Sequence, residues 1–329
     1  MVSVFSAVRW PQPITEYIGF IAEFFPAGAI GFRLVVLRGA LRRASGNVAS
    51  STLQRVYDDA SRRAATIGLI GIIVGLCLAF YQLPGLAARR HATVSQILMT
   101  NRGVELQVGF MVLALIGFAL AMGRLPAGWL LATVGFLAEL LRNGLVGQWK
   151  DLANPLHVLA GGLWIGTLFV LITAGISVVL RDEPAREQRG VIVSDMVYSF
   201  SPLALVSAAV LVLFGVIIAW EHLHVLSNLW RSAYGVALLI KLCFVAVVFA
   251  LGAWNWRRQK PLLGSEPAAI AIRRSATSEV SVAAVVLLMT AILLSIPAPR
   301  PPGARGAPPA GAPAGAPPVT AKGGPPGAP

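Results

Sequence analysis

Apolar runs of about twenty residues, separated by polar stretches, recur along the chain as far as residue 297. A helix needs roughly 20 apolar residues to cross a bilayer. Eight spans are predicted, over 14–37, 65–86, 104–122, 128–146, 155–180, 198–220, 232–254 and 279–297. The first is marked by Glu16, Glu23, Pro26 and Arg33 within it. The runs do not alternate as membrane β-strands do over about ten residues. The expected fold is an all-α integral membrane protein, a polytopic bundle of about eight transmembrane helices.

Composition supports this class. Only 12% of residues are charged, 56% are hydrophobic and mean hydropathy is +0.73, whereas a soluble domain is about 25% charged. The segments between spans alternate in basic content. Those at 38–64, 181–196 and 255–278, with Arg124, hold fifteen Lys and Arg against nine on the other side. The positive-inside rule puts the basic set in the cytoplasm and both termini outside it. A multi-pass protein of the bacterial inner membrane is expected. The net charge of +13 is therefore read as loop arginine. No basic soluble segment is long enough for a nucleic-acid domain, so the lipid bilayer, and no nucleic acid, is the expected partner.

Three segments are expected: a four-span half at 1–154, a second four-span half at 155–297, and a tail at 298–329. The tail is nearly all Pro, Gly and Ala with no carboxylate, a composition that buries no core and suits a spacer or docking segment. MVSVFSAVRWPQP has no continuous apolar core or small-residue cleavage site, so the first span is expected to serve as the insertion signal. Trp10, Trp149, Trp220 and Trp230 fall near span ends on the outer side, as interfacial tryptophans do.

Ionisable residues within spans cost about 2.5–3.5 kcal/mol each and usually face a bundle interior or a water-filled cavity. Lys241 is the clearest, mid-way along the seventh span, in a structural or a transport role. Glu139 and Arg142 share one helix face at i, i+3 and suit an ion pair. Arg33 lies near a span end, where it can snorkel.

All four histidines, His91, His157, His222 and His224, fall on the outer side, and imidazole is the commonest transition-metal ligand. His157 stands one turn inside span five, followed by the small residues Ala160, Gly161, Gly162 and Gly166, which allow close helix packing. It reads either as a ligand or as an interhelical hydrogen bond. His222 and His224, with Glu221, form WEHLH, a metal site or a solvated segment. His91 follows two arginines and reads as solvated. Cys77, Cys243, Met111 and Met289 fall within spans as apolar filler or soft ligands, and Met99 shares the histidines' side. No HExxH, GxGxxG, phosphate-binding loop or nucleophile elbow occurs. Binding and translocation fit the residues better than catalysis, and no enzyme is expected.

Four stretches carry a family pattern: HVLAGGLWIG, FSPLALVSAAVLVLFGV, WRSAYGVALLIKLCFVAVVFALGAWNW and RRSATSEVSVAAVVLLMTAILL. They contain a His before small residues and Trp164, a Tyr234-Gly235 pair, the mid-span Lys241, Asn255 at a helix end, and Glu279 opening the last span. In this order they resemble the bacterial copper resistance protein D family over residues 155–297. The resemblance implies an eight-span inner-membrane protein that moves copper, often with a small periplasmic copper-binding partner. The chain departs from the pattern at Asn154, where many members have Asp, at Gln148, where many have His, and at Thr167, where a second Gly is usual. These changes weaken divalent copper binding more than monovalent.

The expectation is thus a copper ion permease or copper-resistance membrane component. His157, His222 and His224 would capture the metal, and Lys241, Glu279, Tyr234 and Trp164 would line the pathway or support it. Haem b between two facing histidines, such as His157 and His222, is the alternative. A scaffold for a larger membrane complex is a third.

Overall fold

The structure is a computed structural model and describes residues 8, 10–44, 50–146, 149–223, 225–259 and 266–297. Nine helices organise it: α1 Gln12–Arg43, α2 Ser50–Arg89, α3 Val94–Thr100, α4 Arg102–Met122, α5 Pro126–Val146, α6 Ala153–Arg181, α7 Arg189–Leu223, α8 Ala233–Gln259 and α9 Glu266–Leu294. Short turns at Trp149–Leu152, Glu183–Gln188 and Asn228–Arg231 link some of them. Among the described residues, seven helices are long and apolar enough to cross a membrane. The remaining predicted span, 128–146, is the continuous helix α5. The chain is a multi-pass α-helical membrane protein.

The basic segments read as loops are largely helical. α2 runs for 40 residues, about 60 Å at 1.5 Å per residue, and so extends well beyond a bilayer about 30 Å thick. α7 starts at Arg189 and α9 at Glu266, likewise inside stretches read as loops. Charge marks where a helix leaves the lipid; it does not end the helix, since Arg, Lys and Glu are good helix formers. At this arginine-rich end Arg55 donates to both Asp182 carboxylate oxygens at 3.2 and 3.3 Å. Arg189 donates to Glu183 and to the Asp182 carbonyl. Arg43 lies 5.8 Å over the Tyr198 ring.

α6 and α1 form the centre. In their most apolar windows 72% and 61% of residues are buried, against 11% for α7. α7 instead presents Leu205, Val206, Leu213 and Val216 outward, as a lipid-facing helix does. Lipid offers no hydrophobic drive between helices, so their association depends on close packing. α1 and α6 achieve this at Gly28 and Gly166. A Cβ on Gly28 would stand 2.3 Å from the Gly166 backbone. Phe25 and Phe169 stack beside this crossing, with centroids 5.1 Å apart. Both helices carry π-helical turns, at Phe32–Leu37, Gly162–Gly166 and Leu171–Ile176. Such turns concentrate at functional positions in helices.

Candidate functional site

The site builds from α6. Pro155 sits in its first turn, where a missing N–H costs nothing. His157 follows, half-buried, and its Nδ1 lies 2.9 Å from the carbonyl oxygen of Leu211 on α7. That carbonyl already belongs to the helix ladder, so the ring must approach over the neighbouring turn. Gly215 leaves the room: a Cβ there would stand 3.1 Å from His157 Cε1. A carbonyl only accepts, so Nδ1 carries the proton and Nε2 keeps a lone pair. That is the tautomer in which Nε2 can ligate a metal.

His222 is arranged in the same way. Its Nδ1 donates to the carbonyl of Ile218 at 2.8 Å, which again leaves Nε2 with the lone pair. Its ring stacks on Tyr234 of α8, centroids 5.7 Å apart and planes 8° apart. Tyr234 is buried in a small cluster with Leu223, Leu238, Leu293 and Ile296.

Helix geometry relates the two histidines. Gly215, against which His157 rests, and His222 are seven residues apart on α7. Seven residues are nearly two turns, so the positions share a face and stand about 10 Å apart along the axis. Tyr234 and Lys241 are also seven apart, on α8. Lys241 therefore stands about 10 Å along α8 from the ring that supports His222. The result is two layers: His222 on Tyr234 nearer the helix ends, and His157 with Gly215 and Lys241 about two turns deeper. The structure therefore sets His157 and His222 in line and does not bring them onto one point. Among the described residues, no group of three or more His, Cys, Asp or Glu converges to hold a metal ion.

The other candidates lie apart. Trp164 is buried and packs on Phe249 of α8, with centroids 5.0 Å apart. Glu279 is buried on α9, its Oε2 3.8 Å from where a Cβ on Gly252 would be. Gly252 is about 16 Å along α8 from Lys241, so Glu279 sits at a different depth. His91 lies in an exposed turn with φ +52°. Met99, Glu221, Cys77 and Cys243 are exposed. His224, Gln148 and the 298–329 tail lie outside the described residues. Arg142 donates to the Gly103 carbonyl at 2.6 Å, tying α5 to the start of α4, while its charge still acts on Glu139. Sequence alone does not single out the Leu211 carbonyl or Gly215. Its only signal there is a lone glycine in an apolar helix.

The class defined by these features is a polytopic helical membrane protein with imidazoles set in depth along one helix. Residues 195–293 match the family model of copper resistance protein D, so the resemblance to that family is shown across most of α7, α8 and α9. Three of the four stretches that carry it overlap these residues; HVLAGGLWIG precedes them. The chain is 26% identical over 151 residues to a protein from Bacillus subtilis (strain 168) named copper transport protein CutJ. The match takes in 46% of this chain and 26% of that protein, so this chain aligns with about a quarter of that relative's length. No solved structure matches the chain.

Proposed function

We propose that this chain is a copper ion permease, or the membrane subunit of a copper uptake system, in a bacterial inner membrane. One observation carries the reading. The two described site histidines each commit Nδ1 to a backbone carbonyl and keep Nε2 as a lone pair, two turns apart on one line. Metal-bound histidines are oriented by such a second hydrogen bond. Copper enters at His222, with His224 beside it in sequence, and passes inward to His157. The family likeness over residues 195–293 and the name of the Bacillus relative supply the metal. The loss of Asp and His at Asn154 and Gln148 favours the monovalent ion, which relies less on anionic ligands.

Lys241 stands at the level of His157 and repels a cation there. It acts as a gate, which a metal passes only when the lysine is neutral or has turned to another partner. Trp164 and Glu279 hold α6, α8 and α9 around the route. A small periplasmic copper-binding protein delivers the metal at the histidine end.

The test is copper accumulation by cells carrying the chain, with metal analysis and an optical spectrum of the purified protein. Replacing His157, His222 and His224 together by alanine abolishes accumulation and removes bound copper. Unchanged accumulation in that variant refutes the capture site. A Soret band would make the histidines haem ligands instead.

A further inference from the structure

A second polar site lies in the other half of the bundle. A cavity of about 200 Å³ sits between α1, α2, α4 and α5. Its walls include Glu16 and Glu23 from α1, Gln82 from α2, Gln107 and Met111 from α4, and Glu139 from α5. A volume of this size holds several waters, each needing about 30 Å³. It is separated from the histidine layers by α1 itself. Gly161 and Gly162 of α6 rest on Phe24, next in sequence to Glu23.

The charges do not balance locally. Glu23 is partly buried and lines the cavity together with the carboxylates of Glu139 and Glu16. Among the described residues no donor bonds the Glu23 carboxyl group. Glu139 is differently placed: Arg142 follows it by one turn on the same helix, and the Gln107 amide lines the cavity with it. No charged side chain of α2 or α4 lines the cavity. Two carboxylates cannot both stay ionised in such a place without a cation or a shared proton. The three carboxylates do not converge as metal ligands.

We propose that this chamber is a proton-binding site, with Glu23 carrying the proton, Glu139 held as its charged partner, and water linking both to Glu16. The inference stands apart from the copper reading, since no histidine lines the chamber. It gives the N-terminal half its own chemistry: a proton taken up and released within the membrane.

Carbodiimide labelling tests this on the full chain in detergent. The reagent adds a protonated carboxyl O–H across its C=N bond and then rearranges to a stable N-acylurea, with no redox change. Mass spectrometry of the labelled protein locates the adduct. At neutral pH, Glu23 is expected to be labelled at least tenfold more than the exposed Glu105, and labelling falls as pH rises. Infrared spectra of the unmodified protein cover a reagent that fails to reach the chamber. A protonated-carboxyl band at neutral pH, lost in Glu23→Gln and kept in Glu16→Gln, supports the proposal. Absence of both adduct and band overturns it, as does label on Glu139 with none on Glu23. Labelling suppressed by Mg²⁺ at fixed pH also overturns it, in favour of a cation site.

Discussion

His157 on α6 and Leu211 on α7 are joined by one hydrogen bond, 2.9 Å long, which fixes the imidazole tautomer and pins the ring across two helices. The bond exists because Gly215 has no side chain in the ring's way. Gly215→Leu therefore pushes the ring off the carbonyl while leaving His157 in the chain. Loss of such a supporting bond costs roughly 10–100-fold in metal affinity. Copper titration of the purified variant is expected to show that loss. Gly215→Ala, whose Cβ meets only the ring edge, is expected to lose much less. Equal affinity in Gly215→Leu and the parent would mean that His157 does not ligate.

Tyr234 tests the upper layer. Its ring supports His222 by stacking and fills a buried cluster. Aromatic pairs contribute about 0.5–1.5 kcal/mol beyond area burial, and emptying an aromatic site costs about 3–5 kcal/mol. Tyr234→Ala is expected to lower the unfolding temperature in detergent and weaken copper loading at His222. Tyr234→Phe keeps both, because the ring and its stack survive. A loss in Tyr234→Phe as large as in Tyr234→Ala would shift the role to the hydroxyl.

How much of this is legible in the sequence depends on whether a residue's partner is local. Apolar runs announce spans because the bilayer imposes one length on all of them. Charged runs read as loops, yet the same arginines that leave the lipid also propagate helices α2, α7 and α9. Arg142 shows the limit of the i, i+3 rule. Its guanidinium bonds Gly103, 39 positions away, and no local pattern encodes that. In the sequence Glu16 and Glu23 are only polar residues in the first span, and Glu139 is half of an ion pair on another. Nothing near any of the three states that α1 and α5 enclose a common cavity. The seven-residue step from Gly215 to His222 is in the sequence. It acquires meaning only once His157 is known to lie against Gly215.

The crossing of α1 and α6 predicts a stability effect. Each glycine there meets backbone: a Cβ on Gly166 would lie 2.3 Å from the Phe24 carbonyl oxygen. Backbone cannot give way as a flexible side chain does. Overpacking in a core typically costs about 1–3 kcal/mol, and Gly166→Leu is expected to reach or exceed the top of that range. Gly109, with open space around its Cβ position, is the control: Gly109→Ala leaves the melting temperature within a few degrees. Thermal unfolding of both variants in the same detergent makes the comparison. A stable Gly166→Leu would mean that α1 and α6 are further apart than described.

Asp182 and Arg55 give the last prediction, at the arginine-rich end. Arg55 is nearly half exposed, with 47% of its side chain accessible, while Asp182 is 13% accessible. An exposed ion pair contributes about 0–1 kcal/mol and is screened by salt. Asp182 also serves as a cap. Its Oδ1 accepts from the Ala185 N–H at 3.0 Å and so closes the turn that leads into α7. Replacing a cap by alanine costs about 0.5–2 kcal/mol. Asp182→Ala is therefore expected to destabilise more than Arg55→Ala. The excess persists in high salt, whereas the cost of Arg55→Ala shrinks. In a double-mutant cycle the coupling between the two stays near 1 kcal/mol or below. If Arg55→Ala were the more damaging change, the pair with α2 and not the cap would be what secures the turn between α6 and α7.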